Sequence, residues 1–159
     1  MKAYSFAKLV VRGYPTMNDL RNPYIYTKDI KTIINVSEQA YPKDIAEEFA
    51  RRGIKSYHFP LVEEGSDMGV DNIMAALRIL AGADKAGEKV ILHCDCGNNR
   101  SRTVAEAFHF LKTGEQLEDQ YKSYRNHLLY NMATGHLPNI SILENLLADM
   151  RKELSISLL

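Results

Sequence analysis

The segment that most limits what this chain can become is Val90-Ile91-Leu92 running into His93-Cys94-Asp95-Cys96-Gly97-Asn98-Asn99-Arg100-Ser101. A short apolar run such as Lys89–Leu92, bounded by turn signals, reads as a strand buried on both faces, at the centre of a sheet. From Thr103 the apolar positions fall at Val104, Ala107, Phe108 and Leu111, one face of a helix over Thr103–Lys112. A buried strand, a short loop holding one glycine and a helix beginning near Arg100 belong to a sheet with helices packed on its faces.

The rest of the chain alternates in the same way. The pattern predicts strands over Phe6–Arg12, Thr32–Val36 and Ser56–Phe59, the last stopped by Pro60. Between the first two lies a turn-rich stretch, Gly13–Pro23. Ile45, Phe49 and Ala50 mark an amphipathic helix over Tyr41–Arg52, ended by Gly53. Leu61–Gly69, rich in Glu, Gly and Asp, reads as an exposed loop. Ile73, Leu77 and Leu80 place a helix over Val70–Gly82, and two further helices fit Leu117–Asn131 and Asn139–Leu154. The expected fold is α/β, with a central, mostly parallel sheet of four to five strands flanked by helices. No repeat, low-complexity tract or linker divides the chain, so residues 1–159 read as a single domain.

Charge and cysteine usage narrow the function. Twenty Lys and Arg balance twenty Asp and Glu, which argues against a nucleic-acid partner held by a broad basic face. A small anion site survives that argument, because a few donors hold one phosphate whatever the net charge. No apolar run approaches the ~18 residues needed to cross a bilayer, and Lys8 interrupts the run that a signal peptide would need. A cytoplasmic protein with no membrane partner is expected. Cys94 and Cys96 are too few and too close to staple a secreted fold. Nothing in the sequence indicates an oligomeric state.

The loop itself suits an anion. Successive backbone N–H groups around Gly97 can point inward as a nest. The following helix N-terminus adds unpaired donors and partial positive charge. Arg100 can close over two oxygens of the same anion. Asp95, Cys96, Gly97, Asn98, Asn99 and Arg100 are therefore the candidate phosphate-binding residues. Cys94 stands at the floor of this cradle, where donors that hold phosphate also favour a thiolate, below the ~8.5 of a free thiol. The expected product is a nucleophile aimed at a bound phosphorus atom.

His93, Cys94, Gly97, Arg100 and Ser101 match the His-Cys-x-x-Gly-x-x-Arg-Ser/Thr signature, and the chain resembles the cysteine-based protein tyrosine phosphatases, in their compact dual-specificity branch. The strand before the loop and the helix after it agree. Thr32–Ser37 resembles the family's "I-x-x-V-I-N-V-S" strand, Gly53–Pro60 its "G-I-x-Y-x-x-x-P" strand, and Gly135–Asn139 its Pro-Asn turn. The resemblance implies that Cys94 attacks a phosphomonoester to form a cysteinyl-phosphate, while Arg100 and the loop amides stabilise the phosphoryl oxygens. It implies that Ser101 donates to the Cys94 sulfur as the intermediate breaks down, and that His93 supports the loop. It requires no metal and no cofactor. The implied substrate is a phosphorylated protein or peptide, carrying phosphotyrosine, with phosphoserine and phosphothreonine as the dual-specificity alternative.

The family's general acid is an Asp three residues after a proline, on the loop that follows the third strand. Here Glu63 stands three after Pro60. Glu and Asp have similar reference pKa values, ~4.3 and ~3.9, but the extra methylene moves the proton, and geometry outranks pKa. Glu63 is the first candidate, with Asp67 and Glu64 as alternatives. A solvated loop is the plain reading of all three.

Other readings compete. A catalytically inactive module that only binds phosphorylated partners needs the same loop. His93, Cys94 and Cys96 lack the spacing of a zinc site. Cys96 is either a resolving partner for oxidised Cys94 or a small buried side chain lining the loop. His58, His109, His127 and His136 read as core or surface residues, and Tyr121, Tyr124 and Tyr130 as packing residues. The stretch between Cys94 and Arg100 holds no Lys, and with Glu63, Glu64 and Asp67 at the mouth the rim is expected to repel highly phosphorylated inositides.

Overall fold

The computed structural model describes residues 8–62, 69–96 and 100–113, together with positions 148, 149 and 152. Strand β1 is Leu9–Arg12, β2 is Ile30–Asn35, β3 is Lys55–His58 and β4 is Lys89–His93. They form one sheet in the order β1-β4-β2-β3, and every neighbouring pair is parallel. The expected α/β fold is thus present as a four-stranded, all-parallel sheet. The apolar run Lys89–Leu92 predicts an interior strand, and β4 lies between β1 and β2. Its Val90, Ile91 and Leu92 are fully buried.

Alternation explains why both faces of the sheet are apolar. Ile34, Val90 and Leu92 pack on one side against Ile73, Leu77 and Leu80 of α3 (Val70–Ala86) and Val104, Phe108 and Leu111 of α4 (Arg100–Thr113). The residues one step along, Ile33 and Ile91, pack on the other side. There they meet Leu20 of α1 (Met17–Arg21) and Ile45 and Phe49 of α2 (Lys43–Arg51). Each such side chain contributes roughly 1.5–3 kcal/mol on full burial. An ion pair between Lys112 and Asp84 ties α4 to α3.

Apart from shifts of one to three residues at other element ends, two features differ from expectation. The turn-rich stretch Gly13–Pro23 contains α1, which is nucleated by a capping box. The Thr16 hydroxyl accepts from the Asp19 amide at 3.1 Å, and the Asp19 carboxylate accepts from the Thr16 amide at 2.8 Å. Helix α3 runs through Gly82 and stops only at Gly87, whose φ of 69° is left-handed and lets the last turn close on Ala83 and Asp84. The helices expected over Leu117–Asn131 and Asn139–Leu154 lie essentially outside the described residues, as do Tyr121, Tyr124, Tyr130, His127 and His136.

Candidate active site

In an all-parallel sheet the carboxyl ends of the strands share one rim, and ligands bind in the loops beyond it. Here that rim carries Arg12, Asn35, His58 and His93. Pairing continues just past it: the Val36 amide donates to the His93 carbonyl at 2.9 Å, and the Phe59 and Leu61 amides donate to the Asn35 and Val36 carbonyls. Beyond His93 the chain leaves the sheet and turns, and α4 begins at Arg100.

Cys94 is buried, and its Sγ lies 3.2 Å from the Ser101 Oγ. Arg100, the first residue of α4, is only 4% exposed. Its Nη2 donates to Asp95 Oδ2 at 2.7 Å and its Nη1 to the Leu61 carbonyl at 3.3 Å. Both cysteines are free thiols. Cys96 is exposed, which corrects the reading of it as a buried side chain lining the loop.

His93 is completely buried. Its Nδ1 lies 3.0 Å from the Cys94 carbonyl, which can only accept, so Nδ1 carries the proton. Nε2 is then the acceptor for the Tyr41 hydroxyl at 2.6 Å. Burial pulls His93 down to about 4, against the opposing pull of the Cys94 carbonyl and Asp95. The ring is therefore neutral at pH 7. Tyr14 presents its edge to the same ring, with centroids 5.2 Å apart and planes at 82°. The Tyr14 hydroxyl donates to the Ala40 carbonyl at 2.8 Å, and its amide donates to the Asp95 carbonyl at 2.8 Å. Burial raises both tyrosines above the usual phenol range, which keeps them as donors.

The loop after β2 is stiffened separately. Asn35 Oδ1 accepts from the Ser37 amide at 2.9 Å and from its hydroxyl at 2.7 Å, while Asn35 Nδ2 donates to the Gln39 carbonyl at 2.8 Å. Asn35 and Ser37 are fully buried. They are the polar positions of the Thr32–Ser37 motif, and this turn is their physical role. His58, exposed, hydrogen-bonds the Ser37 carbonyl through Nε2 at 2.8 Å.

The structure thus brings His93, Cys94, Asp95, Arg100 and Ser101 together at one end of the sheet. Gly97, Asn98 and Asn99 lie outside the described residues, as do Glu63, Glu64 and Asp67. The flanks of the 63–68 segment are described. Leu61 touches Arg100, and Asn72 of α3 donates to the Pro60 carbonyl at 2.8 Å. The described chain therefore passes beside the guanidinium at Leu61. Sequence reasoning missed Tyr14, Tyr41 and Gly13. A Cβ on Gly13 would stand 3.0 Å from the Asp95 carbonyl oxygen, so the glycine lets β1 approach the loop. A separate cavity of about 450 Å³, lined by Tyr26, Lys28, Ile30, Arg51 and Ile54 among others, lies at the amino-terminal ends of β2 and β3, away from this site.

Known proteins resemble the chain in both sequence and fold. Inositol diphosphatase DSP5 of Arabidopsis thaliana is 25% identical over 92 residues, 56% of this chain and 43% of that protein. The chain thus matches less than half the length of this curated relative. A crystal structure of Tk-PTP in its active form superposes with a TM-score of 0.58 at 20% identity, covering 91% of this chain and 92% of that one. PTPMT1 in complex with PI(5)P gives 0.61 at 14% identity over 93% and 92%. The core catalytic domain of the PP-IP phosphatase SIW14 from S. cerevisiae, in complex with citrate, gives 0.58 at 16% identity over 70% and 64%. At these identities the structural likeness is one of fold. Residues 15–150 match the family model described as "Dual specificity phosphatase, catalytic domain". With that match over most of its length, the chain belongs to the dual specificity phosphatase catalytic-domain family, within the cysteine-based phosphatases.

Proposed function

We propose that the protein is a phosphomonoester hydrolase working through a cysteinyl-phosphate. The observation that carries this reading is the Cys94 sulfur, 3.2 Å from the Ser101 hydroxyl, at the foot of a loop that ends in the buried Arg100. Family membership supports phosphatase activity, and the residues have these roles in the proposal. The Cys94 thiolate attacks phosphorus as the ester P–O bond breaks. The leaving oxygen takes a proton from Glu63, or from Asp67 or Glu64. Water, giving a proton back to the same carboxylate, then attacks the phosphocysteine, the S–P bond breaks, and inorganic phosphate departs as Ser101 donates to the regenerated thiolate. Arg100, with the amides of residues 95–99, holds the phosphoryl oxygens. His93, neutral and hydrogen-bonded at both nitrogens, positions the loop and is no base.

The proposed substrate is a singly phosphorylated side chain, phosphotyrosine first, with phosphoserine and phosphothreonine as further candidates. The loop supports it, since residues 95–99 hold no Lys and include Asp95. A second reading, an inositol phosphate, is favoured by the names of the relatives DSP5 and SIW14. Two cysteines, too few and too close in sequence to staple a secreted fold, support a reducing, cytoplasmic setting. Among the described residues no helix is long and apolar enough to cross a membrane.

Turnover of para-nitrophenyl phosphate by wild type, Cys94→Ser and Arg100→Ala tests the chemistry. Wild-type turnover lost in both variants is the expected result. No turnover in wild type would leave a phosphate-binding module instead. Comparing kcat/KM for a phosphotyrosine peptide and an inositol polyphosphate then decides between the two substrate classes.

A further inference from the structure

We infer that Asp95 is an internal counter-anion that competes with the substrate for the Arg100 guanidinium, and so discriminates against highly charged phosphates. The inference rests on the phosphatase reading of the same loop and deepens it.

The guanidinium of Arg100 is 5% exposed as a side chain, and a buried cation needs a partner. One such partner is Asp95 Oδ2, 2.7 Å from Nη2. The carboxylate itself is 53% exposed, so it meets solvent while it holds the guanidinium. Its backbone is held from the other side. The Tyr14 amide donates to the Asp95 carbonyl, and Gly13 allows β1 within close reach of it. Nη1 is directed to the Leu61 carbonyl. A phosphoryl group that takes the Nη2 donor must displace the carboxylate or share the fork with it. Sharing sets two like charges within a few ångströms, which costs more as the ligand charge rises. Asp95 thus offsets the charge of the Arg100 guanidinium when no substrate is bound and taxes every anion that enters, most heavily those with several phosphates.

The test is inorganic phosphate binding, by calorimetry on the full chain, comparing Cys94→Ser with Cys94→Ser/Asp95→Asn and Cys94→Ser/Asp95→Glu. Asparagine keeps the shape and removes the charge. It should tighten phosphate binding about tenfold, while the Glu variant stays close to the parent. The Asn variant should also melt lower than its parent without phosphate and recover when phosphate is added, because the anion replaces the lost carboxylate. A variant that folds only in phosphate shows the same effect. On an otherwise wild-type chain, Asp95→Asn should raise kcat/KM for an inositol polyphosphate more than for para-nitrophenyl phosphate. Unchanged or weaker phosphate binding by the Asn variant overturns the inference, as does a melting loss that phosphate does not restore. Failure here is separable from failure of the phosphatase reading. A chain with no turnover whose phosphate affinity still answers Asp95→Asn sinks only the latter, and an active enzyme indifferent to Asp95 sinks only the former.

Discussion

The Tyr41 hydroxyl lies 2.6 Å from Nε2 of His93, fifty-two residues away in sequence, and hands the site's buried imidazole its second hydrogen bond. Its first runs from Nδ1 to the Cys94 carbonyl. The two bonds fix the tautomer, the ring plane and the peptide that carries the candidate nucleophile. Tyr41 also stacks edge-on against Phe49 of α2, with centroids 5.0 Å apart. The helix that covers one face of the sheet is therefore connected, through one phenol and one imidazole, to the loop on which the chemistry is proposed to occur.

Tyr41→Phe removes the donor and keeps the ring. Nε2 of His93 is then a buried acceptor with its observed partner gone, a loss of about 1–3 kcal/mol of stability. Urea unfolding measures it. Because the ring positions the Cys94 peptide, kcat/KM for para-nitrophenyl phosphate should fall several-fold while KM moves less. Tyr41→Ala, which also opens a cavity beside Phe49, should cost more stability than Tyr41→Phe.

Acid should unfold the protein partly through His93. Its folded-state value of about 4 lies below the ~6.5 of an unfolded histidine. Between those values the unfolded chain binds more protons, so stability rises with pH there and is lost as pH falls from about 6.5 to 4. The whole effect is worth up to about 3 kcal/mol. Denaturation midpoints at several pH values, compared with His93→Gln, check it. The variant should be less stable at pH 7 and should show a flatter slope across that window.

The parts visible in the sequence were those governed by local pattern. Val90-Ile91-Leu92 could be placed inside the sheet because a strand covered on both faces has no polar side to hide. His93, Cys94, Arg100 and Ser101 could be grouped as candidates because the signature they match is a spacing along one loop. Helix α1 escaped notice because five residues show no periodic stripe; only the Thr16–Asp19 cap announced it. Gly82 stopped the expected helix too early. The observed helix carries it among Ala81, Ala83 and Ala86, where a cost of about 1 kcal/mol is tolerated. Tyr14, Tyr41 and the contact of Gly13 with Asp95 depend on which loops the sheet order brings to one rim, and no local pattern encodes that.

Two glycine-to-alanine changes should have opposite signs. At Gly13 the added Cβ meets the Asp95 carbonyl oxygen at 3.0 Å, and that oxygen is already held by the Tyr14 amide. The loop must shift, at a cost of about 1–3 kcal/mol, and turnover should fall with stability. At Gly82 nothing stands within 4 Å, inside a regular helix. Alanine there should stabilise by about 0.5–1 kcal/mol and leave turnover alone. Chemical denaturation and steady-state assay of the two variants side by side read both effects.

Ser101→Ala separates the two proposed half-reactions. In the first, sulfur is the nucleophile, and a hydrogen bond from the Ser101 hydroxyl favours the thiolate while dulling its attack. In the second, sulfur is the leaving group, and the same bond stabilises the charge it regains. Losing a hydrogen bond to a charged group costs about 1.5–3 kcal/mol, so breakdown of the phosphocysteine should slow by roughly 10–100-fold. Formation should change much less. The phosphorylated enzyme then accumulates, and the variant should release a burst of nitrophenolate close to one equivalent before a slow steady state. Ser101→Thr keeps a hydroxyl within reach of the 3.2 Å contact and should restore most of the rate. If kcat and kcat/KM instead fall together with no burst, the hydroxyl acts on phosphoryl transfer to sulfur, and its place in the second half-reaction is lost.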